Sequence, residues 1–273
     1  MMARAVGASR RLWGFVRGEG ERVGFAWGPT LLVAWAAAAL VVPHYHRGDW
    51  DRDFLRWAGG AGLAKYCMYA RLDLSFLLQF CVPVLGIWLA GVAAPVSGLL
   101  LRRKDAECPT GLASSGPVAG LSSYGLGLGD VKFGLKATLT FYLLYVPCFI
   151  IFFRSAGFQE YYGARVDTAM TLHKALCWDI PSVFFSMVRT EFFFRGLLLF
   201  GFKRRYGTYA GVLASMIPYV LVHFGKPEIE TFGSFPVGLA LAYLAARTGS
   251  IWYGVLLHWS IALMLSGLLL VLQ

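Results

Sequence analysis

The chain has 273 residues, of which 58% are hydrophobic, 16% aromatic and only 15% charged, with a net charge of +10 and a mean hydropathy of +0.60. That balance excludes an ordinary soluble domain, in which about a quarter of residues are charged, and defines an all-α polytopic transmembrane helix bundle. No soluble segment carries a basic face interleaved with aromatics, so the positive charge is not a nucleic-acid footprint.

Apolar windows of about 20 residues, enough to cross roughly 30 Å of hydrocarbon, fall near 24–43, 74–100, 133–153, 182–202, 209–224, 232–246 and 251–272. About seven spans are expected, within a range of about six to eight. Residues 174–181 read either as an amphipathic lead-in or as part of the fourth helix, and the two windows within 209–246 are short. The first window starts late, and no small-residue cleavage pattern follows Val42-Pro43, so it reads as a retained helix rather than a signal peptide. Arg4, Arg10, Arg11, Arg17 and Arg22 precede it, Arg102-Arg103-Lys104 follow the second window, and Lys203-Arg204-Arg205 follow the fourth. Alternate basic loops place the N-terminus in the cytoplasm, with the protein in the plasma (inner) membrane and its basic residues against anionic lipid. The 44–73 loop is also basic, but Asp49, Asp51, Asp53 and Asp73 dilute it.

Cys67, Cys81, Cys108, Cys148 and Cys177 form no CxxC pair, so neither a disulfide framework nor a thiolate metal site is expected. A Gly/Ser/Pro-rich stretch from Cys108 to Ser123 reads as a flexible connection. It separates region 1–120, with two spans, from region 121–273, which holds nearly every polar residue that looks placed. At the junction stands Gly125-Leu126-Gly127-Leu128-Gly129-Asp130. A dinucleotide fingerprint needs a strand–turn–helix unit around such glycines. None follows, and the stretch reads as an interfacial turn entering the third span.

The placed polar residues begin with Thr190-Glu191-Phe192-Phe193-Phe194-Arg195. Ionisable groups at membrane depth cost about 2.5–3.5 kcal/mol each on insertion scales and mark function unless they lock the bundle as an ion pair. Glu191 and Arg195, four apart, share one helix face. His223 ends the fifth window, and His258 lies in the seventh, so three helices each offer an ionisable side chain to one intramembrane cavity. The plainer readings are a His223 facing headgroups beside Lys226 and Glu228, and a His258 satisfied by a carbonyl or by Ser260. The Phe192-Phe193-Phe194 run is expected to face lipid. His44, His46 and His173 fall in loop or interfacial segments and are expected to have no role.

A carboxylate in a partly dehydrated cavity takes a proton from water, and imidazoles stabilise an oxyanion or pass the proton on. That chemistry is peptide hydrolysis without a cofactor. Glu191, His223 and His258 are also a zinc ligand set with one open position, although the helical HExxH spacing is absent.

Three elements carry a resemblance: Glu191-Phe192-Phe193-Phe194-Arg195-Gly196, then Tyr219 to His223 with its Phe-Gly-Lys-Pro continuation, then Arg247-Thr248-Gly249-Ser250-Ile251-Trp252 leading to His258. In order and spacing they resemble the motifs of the CAAX prenyl protease and bacteriocin-processing family of intramembrane endopeptidases, the CPBP or Abi family, over about residues 121–273. The resemblance implies a helical membrane bundle, a peptide or protein substrate at the bilayer, water activated by glutamate and histidine, and a histidine on the last helix that holds the oxyanion. It places Glu191, Arg195, His223 and His258 in the catalytic site. Thr190 stands where the family usually has a first glutamate, and Ala262 where it has asparagine or aspartate. A non-catalytic scaffold acting as a partner or maturation factor is the alternative, with a small-molecule transporter behind it.

Overall fold

The computed structural model describes residues 27–60, 73–90, 120–163 and 180–271, and every regular element among them is helical. The N-terminal arginines, Arg102 to Lys104, Cys67, Cys108, Cys177, His173 and most of the 108–123 and 174–181 stretches lie outside the described residues. By compactness the chain divides into Met1–Ala38 and Ala39–Gln273. The first unit contributes the start of helix α1, Trp27–Gly60. Everything that follows belongs to the second.

Helix α1 runs on where the 44–73 loop was expected. Past Pro43 the sequence turns polar, with Asp49, Asp51 and Asp53 spaced among Arg47, Arg52 and Arg56, so charge ends the apolar window without ending the helix. Helix α2, Leu74–Ala90, starts at Asp73, whose Oδ1 accepts the Phe76 N–H at 2.8 Å. Gln79 donates to the Ala39 carbonyl at 2.9 Å and ties α2 to α1.

A 3-10 turn, Leu121–Tyr124, leads into α3, Val131–Phe153, and Asp130 caps α3 by accepting the Phe133 N–H at 3.1 Å. The glycine-rich stretch is thus the turn into this helix, as expected. It is also a dock. The Asp130 N–H donates to the Thr248 carbonyl at 3.0 Å, the Ile251 N–H to Gly125 at 2.9 Å, and the Tyr253 hydroxyl to Leu128 at 2.6 Å. Gly129 has φ +57°, and a Cβ there would fall 2.0 Å from the Thr248 oxygen, so only glycine allows the approach.

Helix α4, Ala156–Gly163, is followed by α5, Ile180–Glu191, which continues as a π-helical stretch, Phe192–Leu199, into α6, Phe200–Leu221. Gly207, at φ 85° and ψ 172°, breaks α6 between the fourth and fifth apolar windows. Helices α7, Glu228–Thr248, and α8, Trp252–Val271, complete the chain. Helices α3 and α7 are long and apolar enough to cross a membrane, while α2 and Trp252–Leu268 of α8 are shorter apolar helices.

Residues 191–200 are buried on every side, which makes this rod the centre of the fold. Phe192, Phe193 and Phe194 are 0%, 0% and 3% exposed. They do not face lipid as their composition suggested. Phe192 meets Phe80 of α2 with ring centroids 5.1 Å apart, and Phe194 meets Tyr219 of α6 at 5.3 Å. A segment apolar all round is buried, and here protein rather than lipid covers it.

A second cluster, Phe149, Phe153 and Phe158, holds α4 against α3, with Ile229 and Met264 packed on it. From α4 the Tyr162 hydroxyl donates to Glu230 Oε2 at 2.5 Å, and Lys226 pairs with Glu230 Oε1 at 2.7 Å. Burial, then the hydrogen bond to Glu230, push the Tyr162 phenol well above its ordinary range. Tyr162→Phe lowers stability by about 1.5–3 kcal/mol, the worth of one such bond to a charged acceptor. Thermal unfolding of the full chain in detergent measures this, and an unchanged midpoint rules out a structural tie.

Candidate active site

Glu191 ends α5 and is 0% exposed, as is Arg195 in the π-helical stretch. Arg195 Nη1 donates to Glu191 Oε1 at 3.2 Å, and Nη2 donates to the Gly238 carbonyl of α7 at 3.3 Å. The guanidinium lies 4.2 Å from the centroid of the Tyr219 ring, a cation–π contact inside the bundle. A buried charge pair is tolerable only when hydrogen bonds satisfy the remaining groups. Here Nη2 draws on the Gly238 carbonyl of α7, and the guanidinium face draws on the Tyr219 ring of α6.

From α8, His258 Nδ1 lies 3.1 Å from the same Glu191 Oε1. The two residues are separated by 67 positions, so the fold rather than local helix geometry makes this contact. The His258 side chain keeps 21% of its surface exposed against 1% for Glu191. It is the member of the pair that solvent or substrate can reach. Glu191 Oε2 and Arg195 Nε have no hydrogen-bond partner among the described residues. Oε2 faces Gly254, where a Cβ would stand 2.6 Å away. The absence of a side chain at 254 is what lets the carboxylate enter.

His223 lies in the turn after α6, 8% exposed, its Nδ1 2.7 Å from the Tyr219 carbonyl. Its ring centroid is 4.7 Å from that of Tyr219, and the His258 centroid is 6.4 Å from Tyr219. Thr231 donates to the His223 carbonyl at 2.8 Å and fixes the turn to α7. Both histidines therefore neighbour the Tyr219 ring, while the His223 ring bonds to the Tyr219 carbonyl and not to Glu191. Among the described residues no three or more His, Cys, Asp or Glu side chains are grouped to hold a metal ion. Glu191, His223 and His258 do not surround one point, and Glu191 Oε1 already carries a guanidinium.

Thr190 turns away from this cluster, its hydroxyl donating to the Ser186 carbonyl one turn back at 2.9 Å. Position 190 therefore brings no second carboxylate to Glu191. Ala262, one turn beyond His258, brings no polar atom. His44 and His46 lie on exposed positions of α1. Sequence reading quoted Tyr219 without giving it a task and passed over Gly238 and Gly254. The signal for Tyr219 was its place one turn before His223. The glycines had none, because a missing side chain matters only once its neighbour across the bundle is known.

An all-helical bundle whose buried glutamate is shared by an arginine of its own helix and a histidine of another defines a polar site inside an apolar core. Residues 173–264 match the family model described as Type II CAAX prenyl endopeptidase Rce1-like. Over this third of the chain the sequence is Rce1-like, in agreement with the motif resemblance, and the segment contains Glu191, Arg195, His223 and His258. No curated protein and no solved structure matches the chain.

Proposed function

We propose that the chain is an intramembrane endopeptidase. It hydrolyses a peptide bond of a membrane-proximal or lipidated protein or peptide, using water activated by glutamate and histidine without a cofactor. It is a multi-pass protein of about seven spans, with its N-terminus in the cytoplasm and region 121–273 as the protease core. The observation that carries this reading is the 3.1 Å contact between Glu191 and His258, an ionisable pair built across two helices at a depth where such groups are costly. The Rce1-like match over the same residues supports the reaction class.

One observation favours the non-catalytic scaffold instead: Glu191 is fully buried and already paired, while Thr190 offers no second carboxylate. The experiment that separates the two uses the full chain in nanodiscs with peptides anchored at the bilayer surface. The protease reading expects cleavage by the parent and loss of about 100-fold or more in His258→Ala and His223→Ala, with thermal unfolding midpoints close to the parent's. No cleavage by a folded parent of anchored, lipidated or unmodified peptides sinks the protease reading and leaves the scaffold.

A further inference from the structure

The two histidines are held in a way that decides which of their nitrogens can react. Glu191 is paired with Arg195, and an ionised carboxylate only accepts hydrogen bonds. His258 Nδ1 at 3.1 Å therefore carries the proton and donates it, which leaves Nε2 as a bare lone pair on a side chain that keeps 21% of its surface exposed. His223 is fixed likewise, because a backbone carbonyl also only accepts, and its Nδ1–H donates to Tyr219 at 2.7 Å. In this arrangement neither imidazole presents Nε2–H to an oxyanion.

The backing groups differ. Behind His258 stands a carboxylate, which stabilises the imidazolium that forms when Nε2 takes a proton. Behind His223 stands a neutral carbonyl, which brings no charge to balance an imidazolium. Glu191 in turn is poorly disposed to take the proton itself. Its Oε1 receives two donors, and Oε2 is enclosed against Gly254.

We infer that, within the protease reading on which this rests, His258 Nε2 is the general base and Glu191 is a positioning residue that fixes its tautomer. Water gives a proton to Nε2 while its oxygen bonds the substrate carbonyl carbon and the carbonyl electron pair moves to oxygen. As the C–N bond breaks and the C=O re-forms, the same proton passes from Nε2 to the departing amine.

The first test needs no substrate. Nitrogen-15 NMR of histidine-labelled full-length protein in nanodiscs at neutral pH, with His258 assigned by its loss in His258→Gln, expects a protonated Nδ1 and a bare Nε2. A protonated Nε2 with a bare Nδ1 overturns the inference, even if cleavage is found. The second test compares cleavage of a bilayer-anchored peptide. Glu191→Gln keeps an acceptor oxygen toward Arg195 and His258, so it retains measurable cleavage above a His258→Gln variant that falls about 100- to 10,000-fold. The opposite order, with both variants folded by thermal unfolding, overturns the base assignment while leaving the protease reading standing. A folded parent that shows the expected tautomer yet cleaves nothing overturns both.

Discussion

Arg195→Met destabilises the folded chain by about 3–5 kcal/mol, because it strips the partner from a glutamate with no exposed surface. Glu191 then keeps only His258, and Gly238 loses the donor to its carbonyl. The double variant Glu191→Gln with Arg195→Met recovers most of that loss, since removing both charges leaves no uncompensated ion in the core. Unfolding of the purified chain in mixed micelles, run as a double-mutant cycle, measures both values. An Arg195→Met protein within about 0.5 kcal/mol of the parent, the range of ordinary surface changes, would show that the pair does not hold the bundle.

Gly254→Ala is the second large effect, and it acts on geometry instead of charge. The new Cβ would meet Glu191 Oε2 at 2.6 Å and Cδ at 3.2 Å, with Leu241 closing the third side at 3.5 Å. Real Cβ atoms do not come so close, and the surrounding rod is buried on all faces, so the carboxylate itself must move. Overpacking of this kind costs about 1–3 kcal/mol. The displacement also breaks the contact with His258, and a misplacement near 1 Å lowers rates about 100-fold. Cleavage of an anchored peptide that stays within a factor of about 3 of the parent, well inside that effect, would contradict this placement of Glu191.

The sequence made the helices legible wherever an apolar window had a clear end. Helix α3 begins within two residues of its expected start because Asp130 both breaks the window and caps the helix. Lys203-Arg204-Arg205 separate the fourth and fifth windows, and the helix breaks two residues later at Gly207, where a positive φ stops it. In α1 the window ended at Pro43 but the helix did not, since hydropathy measures solvent preference and not backbone conformation. The Phe192 to Phe194 run went wrong for a related reason: lipid and protein interior are equally apolar, and composition cannot say which one covers a phenylalanine. Site residues stood out individually as charges or imidazoles in apolar stretches. Their pairing did not, because which of several candidates meet across the bundle is a property of packing between residues 67 apart.

The π-helical stretch from Phe192 to Leu199 has a consequence for angular phase. Each residue of an α-helix turns the next by about 100°, and a wider turn delays that rotation. The stretch therefore sets the offset between Glu191 upstream, aimed at α8, and Lys203 downstream, whose ammonium donates to the Ala246 carbonyl of α7 at 3.0 Å. The rod works as a keyed shaft: one end is locked to α7, and the insertion decides toward which neighbour the carboxylate at the other end points.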